Sequence, residues 1–258
     1  MRKAIVTLLM FLIFILVSNN AFPQCCSGNT IASMMLQSGV SGGYGVQFYN
    51  AAGFNNYISQ YNQKYASTSK TEMGEFGTGL GFKFGANAVQ FHVDQMLIGL
   101  KISYQQMKEK NSATRISSSG GEIKEEFNLS VNSFGIGFTS SLVLSKRFDI
   151  KFIDAMLTWN TAKLVNSYSD PYVSTEEKLE SVRSYLGFAG GVGAVFYIIP
   201  KYISVEANGG YSLFSISEMQ FDGGELLAES PDGGLAMKNF ISSGGWFAFI
   251  QLNFSVPI

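Results

Sequence analysis

Apolar and polar residues alternate with a period of two along most of this chain. In an extended strand successive side chains face opposite sides, so such a run has one greasy face and one small or polar face. Between Glu75 and Gly85, Phe76, Thr78, Leu80, Phe82 and Phe84 share a face, and Glu75, Gly77, Gly79, Gly81 and Lys83 share the other. Upstream, Tyr44, Val46 and Phe48 oppose Gly43, Gly45 and Gln47. Downstream, Ile98, Leu100, Ile102 and Tyr104 oppose Gly99, Lys101, Ser103 and Gln105. From Phe127 to Thr139 the greasy phase moves from Phe127, Leu129 and Val131 to Phe134, Ile136 and Phe138, a slip near Ser133 that a β-bulge would produce. Ile153, Ala155, Leu157 and Trp159 then oppose Asp154, Thr158 and Asn160, with Met156 breaking the polar row. Leu186, Phe188, Val192, Ala194 and Phe196 oppose Arg183, Gly187, Gly191 and Gly193, and Ile203, Val205, Ala207, Tyr211 and Leu213 oppose Ser204, Glu206, Asn208, Gly210 and Ser212. Trp246, Ala248, Ile250, Leu252, Phe254 and Val256 close the series against Gln251, Asn253 and Ser255, with Phe247 and Phe249 on the inner row. The pattern predicts about eight strands, an even number, as is usual for a single-chain bacterial barrel.

Connections sort into two kinds. Lys146-Arg147 and Pro200-Lys201 read as tight turns and 86–94 as a somewhat longer link, whereas 108–126, 166–178 and 218–239 read as long polar loops. Long loops on one side and short turns on the other match a membrane barrel whose short turns and chain ends face the periplasm. One stretch departs from period two. After Asn50, a plausible N-cap, Phe54, Tyr57, Ile58, Tyr61 and Tyr65 recur at spacings of three and four. That predicts a short amphipathic helix over 51–65 between the first two strands. It is expected on the side of the long loops, packed on the barrel rim, inside the lumen as a plug or in the lipid interface.

Alternation alone does not say which face is wet; composition does. Charged residues are only 14 % of the chain, and Gly (28) and Phe (22) are abundant. Yet no apolar run past the N-terminus reaches the roughly 18–20 residues of a membrane helix. A greasy outer face in lipid and a small, polar inner face resolve the two facts. The expected fold is an all-β, closed, antiparallel up-and-down transmembrane barrel of about eight strands over 37–258. Glu75, Lys83, Lys101, Asp154, Arg183 and Glu206 would then line the lumen as a polar network, since buried charge is tolerated when paired or hydrated.

Residues 1–24 read as a signal peptide: basic Arg2 and Lys3, an apolar stretch over Ala4–Val17, then a polar exit. Residues 25–36 are then a periplasmic tail. Removing 1–24 takes away Arg2, Lys3 and no carboxylate, leaving 16 Lys+Arg against 19 Asp+Glu and moving the net charge from −1 to −3. No basic stripe remains for nucleic acid. Cys25 and Cys26 follow the expected cleavage point, but Ala21-Phe22-Pro23-Gln24 matches a lipidation signal poorly, and no later cysteine exists for a disulfide framework.

The signal segment, the glycine-aromatic run Gly77-Thr78-Gly79-Leu80-Gly81-Phe82, the loop asymmetry and the end of the chain together resemble the small outer-membrane β-barrel proteins of Gram-negative bacteria, the porin-like and surface-antigen group. Leu252, Phe254, Val256 and Ile258 alternate to the last residue, and the resemblance implies that this strand is read by the barrel-assembly machinery. The family's usual final Phe is replaced by Ile258, and Pro257 removes a ladder donor. The resemblance implies fold, outer-membrane lipid as surroundings and assembly route; it transfers no activity.

The residues offer little chemistry. The one histidine, His92, stands two residues from Asp94, a spacing that could pair a base with its orienter, but at a connecting turn. Glu122, Glu125 and Glu126, and Glu176, Glu177 and Glu180, read as solvated faces rather than cation ligands. The glycines at 187, 190, 191 and 193 have a strand period and no phosphate-loop context. No cofactor or metal is expected. Three roles remain open: a non-enzymatic structural or surface-interaction barrel, a narrow channel for small solutes, and an accessory subunit of an envelope complex with an unidentified protein partner.

Overall fold

The computed structural model describes residues 37–93, 95–118 and 120–257. The expected signal peptide, the tail with Cys25 and Cys26, Asp94, the His92 side chain and Ile258 lie outside the described residues. Among them the strands are β1 (Gln37–Phe48), β2 (Ser69–Thr71), β3 (Thr78–Val93), β4 (Met96–Ile116), β5 (Glu122–Ser145), β6 (Phe148–Ser169), β7 (Ser174–Ser181), β8 (Tyr185–Ile199), β9 (Ile203–Leu213), β10 (Met219–Phe221) and β11 (Trp246–Pro257). One helix, α1 (Ala52–Lys64), lies between β1 and β2.

Eight strands form a closed ring in the order β1-β3-β4-β5-β6-β8-β9-β11 and back to β1, every pair antiparallel. Closure leaves no edge, which the backbone polar groups need if the strands cross hydrocarbon. β2, β7 and β10 stand outside the ring, β2 on β4 and β10 on β7. β6 serves both levels: its first half pairs with β8 and its second half with β7.

The long loops expected over 108–126 and 166–178 are strands. β4 leaves β3 after Lys108 and continues beside β5 to Ile116↔Glu122, and β6 and β7 continue to Ser169↔Ser174. The link expected over 86–94 is also strand, since β3 runs to Val93 through a register shift between Asn87 and Val89. Polar side chains concealed these ladders, because both faces of a hairpin outside the membrane can carry them without disturbing backbone pairing.

The greasy face points outward over the ring. Phe84, Leu100 and Ile250 are 57, 55 and 67 % exposed, while Lys83, Lys101 and Gln251 beside them are buried. Tyr104, Phe134, Trp159, Tyr211 and Trp246 mark where this band ends, and Phe148, Phe196 and Tyr202 lie toward the short turns, an arrangement of aromatic girdles. No helix among the described residues is long and apolar enough to cross a membrane.

Past the girdle the chemistry inverts. On β5, Val131, Leu129, Phe127 and Ile123 are buried inside, while Asn132, Ser130, Asn128 and Lys124 face out. The slip near Ser133 is therefore not a bulge: β5 keeps unbroken register with β4 from Leu142 to Glu122, and with β6 through the same region. Odd-numbered residues point inward throughout; only the preferred side for apolar groups changes, because lipid surrounds one half of the strand and water the other.

Candidate functional site

Two regions carry the polar chemistry: the lumen within the lipid band and the dome at the long-hairpin end. Of the six charges expected in the lumen, Lys83, Lys101, Asp154 and Glu206 are buried there. Glu75 and Arg183 are not. Glu75 precedes β3 in an exposed connection, its carbonyl accepting from Asn111 Nδ2 at 3.0 Å. Arg183 lies exposed between β7 and β8, its guanidinium 5.2 Å from the centre of the Tyr185 ring. In both cases a period of two was extended beyond the residue where the strand begins.

Two lumenal charges were hidden from the alternation. Lys151 and Asp154 both point inward although their numbers differ by three, because a bulge between them turns both Phe152 and Ile153 outward. Asp149 is buried on the same strand and accepts from Tyr197 Oη at 2.7 Å. Lys101 pairs with Asp154, and Lys151 pairs with Glu206 and reaches Asp154 at 3.8 Å. Glu206 also accepts from Asn208 Nδ2 at 3.1 Å and Asn253 Nδ2 at 3.3 Å. Carboxylates thus sit between lysines and amides, which offsets their desolvation. The Lys83 ammonium instead stands 5.5 and 5.1 Å from the ring centres of Phe247 and Phe249, a cation–π arrangement. These rings fill the lumen against glycines: a Cβ on Gly210 would meet the Phe247 ring at 2.7 Å, and one on Gly45 the Phe249 ring and the Ala248 carbonyl. Cavities in the lumen include about 30 Å³ around Lys83, Asp154 and Ser212, about 30 Å³ around Lys151 and Tyr197, and about 20 Å³ around Lys101 and Gln251, all water-sized spaces.

The dome is built on α1. Phe54, Ile58 and Tyr61 face a core that includes Phe76, Phe127, Leu129, Leu164, Leu179 and Phe240. Ala51 occupies the N-cap without a side-chain hydrogen bond, so Asn50 is not the cap; its carbonyl instead accepts from Ser242 N at 2.8 Å. Asn55 and Asn62, seven residues apart on the helix, each make a reciprocal pair with the next connection. Asn55 Nδ2 donates to the Phe76 carbonyl and its Oδ1 accepts from Phe76 N, both at 2.8 Å. Asn62 does the same with Met73, both at 2.9 Å. Glu109 adds a third tie, accepting from Tyr49 Oη, from Gly77 N at 2.9 Å and from Thr78 N at 2.8 Å. None of these clamps shows in the sequence, since each pairs a helix or strand residue with an irregular backbone segment.

The acidic clusters of the hairpins are occupied by the chain itself. Glu122 pairs with Lys70, Glu126 with Lys110 and Lys124, Glu176 with Lys178 and Glu180 with Lys163. Glu125 accepts from Tyr61 Oη at 2.7 Å. Among the described residues no group of three or more His, Cys, Asp or Glu is placed to hold a metal.

Burial and the Glu125 charge push the Tyr57 phenol up to about 12, and burial with the Glu125 hydrogen bond raises that of Tyr61. A phenol raised in the folded state stabilises the fold fully below its unfolded value of about 10 and loses that contribution as pH rises through the folded value. The dome is therefore expected to hold at neutral pH and to loosen only in strong alkali. Tyrosinate absorbance followed against pH checks this; Tyr57→Phe should remove one late-titrating phenol, and titration of every tyrosine near pH 10 would contradict it.

A closed eight-stranded ring, apolar on its outer face and aromatic at both rims, defines a transmembrane β-barrel of the outer-membrane class. No family model matches the chain, and no curated protein is significantly similar to it. Among solved structures it is similar to Ail, the attachment invasion locus protein of Yersinia pestis, at 13 % identity and a TM-score of 0.38, over 86 % of this chain and 100 % of that one; one such Ail structure is in complex with the heparin analogue sucrose octasulfate. It is also similar to Neisserial surface protein A (NspA), at 9 % identity and a TM-score of 0.34, over 86 % of this chain and 97 % of that one. The class itself follows from this chain's own ring, lipid band and polar interior.

Proposed function

We propose that this protein is a non-enzymatic, non-conducting outer-membrane barrel that holds a rigid folded dome outside the cell for contact with other molecules. The carrying observation is the doubled closure of the axis. Paired charges and the Phe247 and Phe249 rings fill the lumen, and α1 with its apolar core fills the end bounded by the long hairpins. An interior of eight strands has room for little beyond its own side chains. The short turns at Lys146-Arg147 and Pro200-Lys201 then face the periplasm, with residues 25–36 as a tail there once 1–24 are removed.

Outer-membrane lipid is the surrounding partner. On this reading the outward row Leu252, Phe254 and Val256 of β11, with Ile258 beyond it, is the assembly signal presented to the barrel-insertion machinery. The dome is the surface for any envelope or extracellular partner. Planar-bilayer recording on the full chain tests the reading: reconstituted protein should give no steady ion current across a range of voltages. Sustained unitary conductance would sink it in favour of a narrow channel.

A further inference from the structure

We propose that the outer face of β1, β3 and β4 holds a bound lipid with a phosphate headgroup, its acyl chain in a groove beside Phe82 and its phosphate at Lys108. The groove has a volume of about 290 Å³ and is lined by Tyr44, Leu80, Gly81, Phe82, Gln106 and Lys108. That compares with about 30 Å³ in the lumen and approaches the lower end of small-molecule sites, roughly 300 Å³. Its position joins two environments. Tyr44 and Phe82 stand as cross-strand partners in the lipid band, ring centres 5.1 Å apart and edge to face. Leu80 and Lys108 are partners one step nearer the hairpins. On β4 the outward row thus passes from Gln106 beside Phe82 to the cationic Lys108 beside Leu80, at the depth where a lipid changes from chain to headgroup.

Lys108 lacks the carboxylate partner that most lysines at this end of the barrel have. Lys64, Lys70, Lys110, Lys124, Lys163 and Lys178, on α1 and the hairpins, each lie within 3.5 Å of a carboxylate of the chain. Among the described residues Lys108 has no such carboxylate, although it is exposed on the same face of β4 as Lys110. The polar groups below it are already engaged, since Gln106 Nε2 and Tyr104 Oη both donate to Asn132 Oδ1 at 3.0 Å. An ammonium without an anion at the border of the lipid band is complementary to a phosphate that the membrane supplies. The occupant is a lipid of the leaflet beside the long hairpins, because only a molecule with a chain also uses the apolar half of the groove.

This site rests on the membrane reading of the barrel, and its test separates the two. The full chain, folded in mild detergent, is titrated with phosphatidic acid and the bound species counted by native mass spectrometry. One lipid should be retained saturably, diacylglycerol of the same chains should not, and inorganic phosphate should not displace it. Lys108→Gln should weaken retention roughly fivefold, as expected for one lysine at a membrane surface. Lys108→Arg should retain it, and Lys178→Gln, at a paired lysine elsewhere, should leave it unchanged. Equal weakening by K108Q and K178Q, equal binding of diacylglycerol, or displacement by inorganic phosphate would overturn the site. A wild-type protein that shifts on a gel when boiled yet retains no phosphatidic acid would overturn the site while leaving the barrel intact.

Discussion

Replacing Asp154 with alanine is expected to destabilise the folded barrel by about 3–5 kcal/mol, the usual cost of leaving a buried charge without its partner. Asp154 is 8 % exposed, pairs with Lys101 and stands 3.8 Å from Lys151. Its removal leaves Lys101 with no carboxylate among its described ion pairs, while Lys151 keeps Glu206. The double change Asp154→Leu with Lys101→Met removes both members of the pair and should recover much of the loss, because an apolar pair avoids desolvating either ion. Urea unfolding of barrels refolded into vesicles, followed by the gel shift between boiled and unboiled samples, measures both. A single variant no less stable than the double would show that the pair is hydrated and weak.

Phe54→Ala should cost the dome about 3–5 kcal/mol, as for other buried aromatic truncations. The ring is fully buried, with ring centres of Phe76, Phe127 and Phe240 at 5.0, 5.5 and 4.8 Å. The loss should stay local. The eight-strand ring is closed by its own backbone ladders, whereas the dome depends on apolar contacts around α1. The variant should therefore keep its heat-dependent gel shift while trypsin cuts the hairpins at Lys124 and Lys178 faster than in the parent. Loss of the gel shift would mean that dome and barrel unfold as one unit.

The parts legible without coordinates share a physical origin. Strand count, the shared face of Phe82 and Phe84 and the helix with Phe54, Ile58 and Tyr61 follow from periodicity, which is local; that the greasy face points outward followed from the low charge content. Lys83, Lys101 and Glu206 could be placed because their strands run straight through those positions, and Asp154 because it opens the regular run of β6 that follows the bulge. Lys151 could not, since the bulge at Phe152 and Ile153 reverses parity and arises from pairing with β5 and β8. Glu75 and Arg183 were misplaced because a pattern does not state where a strand starts. The ties made by Asn55, Asn62 and Glu109 join elements whose adjacency no window of sequence contains.

By itself the sequence determined the periods, the number of ring strands and the chemistry of each face, because side-chain alternation is a property of consecutive residues. Only the tertiary structure decided where along each strand the apolar side changes from outside to inside, that the polar stretches 108–126 and 166–178 are ladders, and which lysine meets which carboxylate. Those outcomes depend on what surrounds a residue, lipid, water or a distant strand, and surroundings are set by closure of the ring.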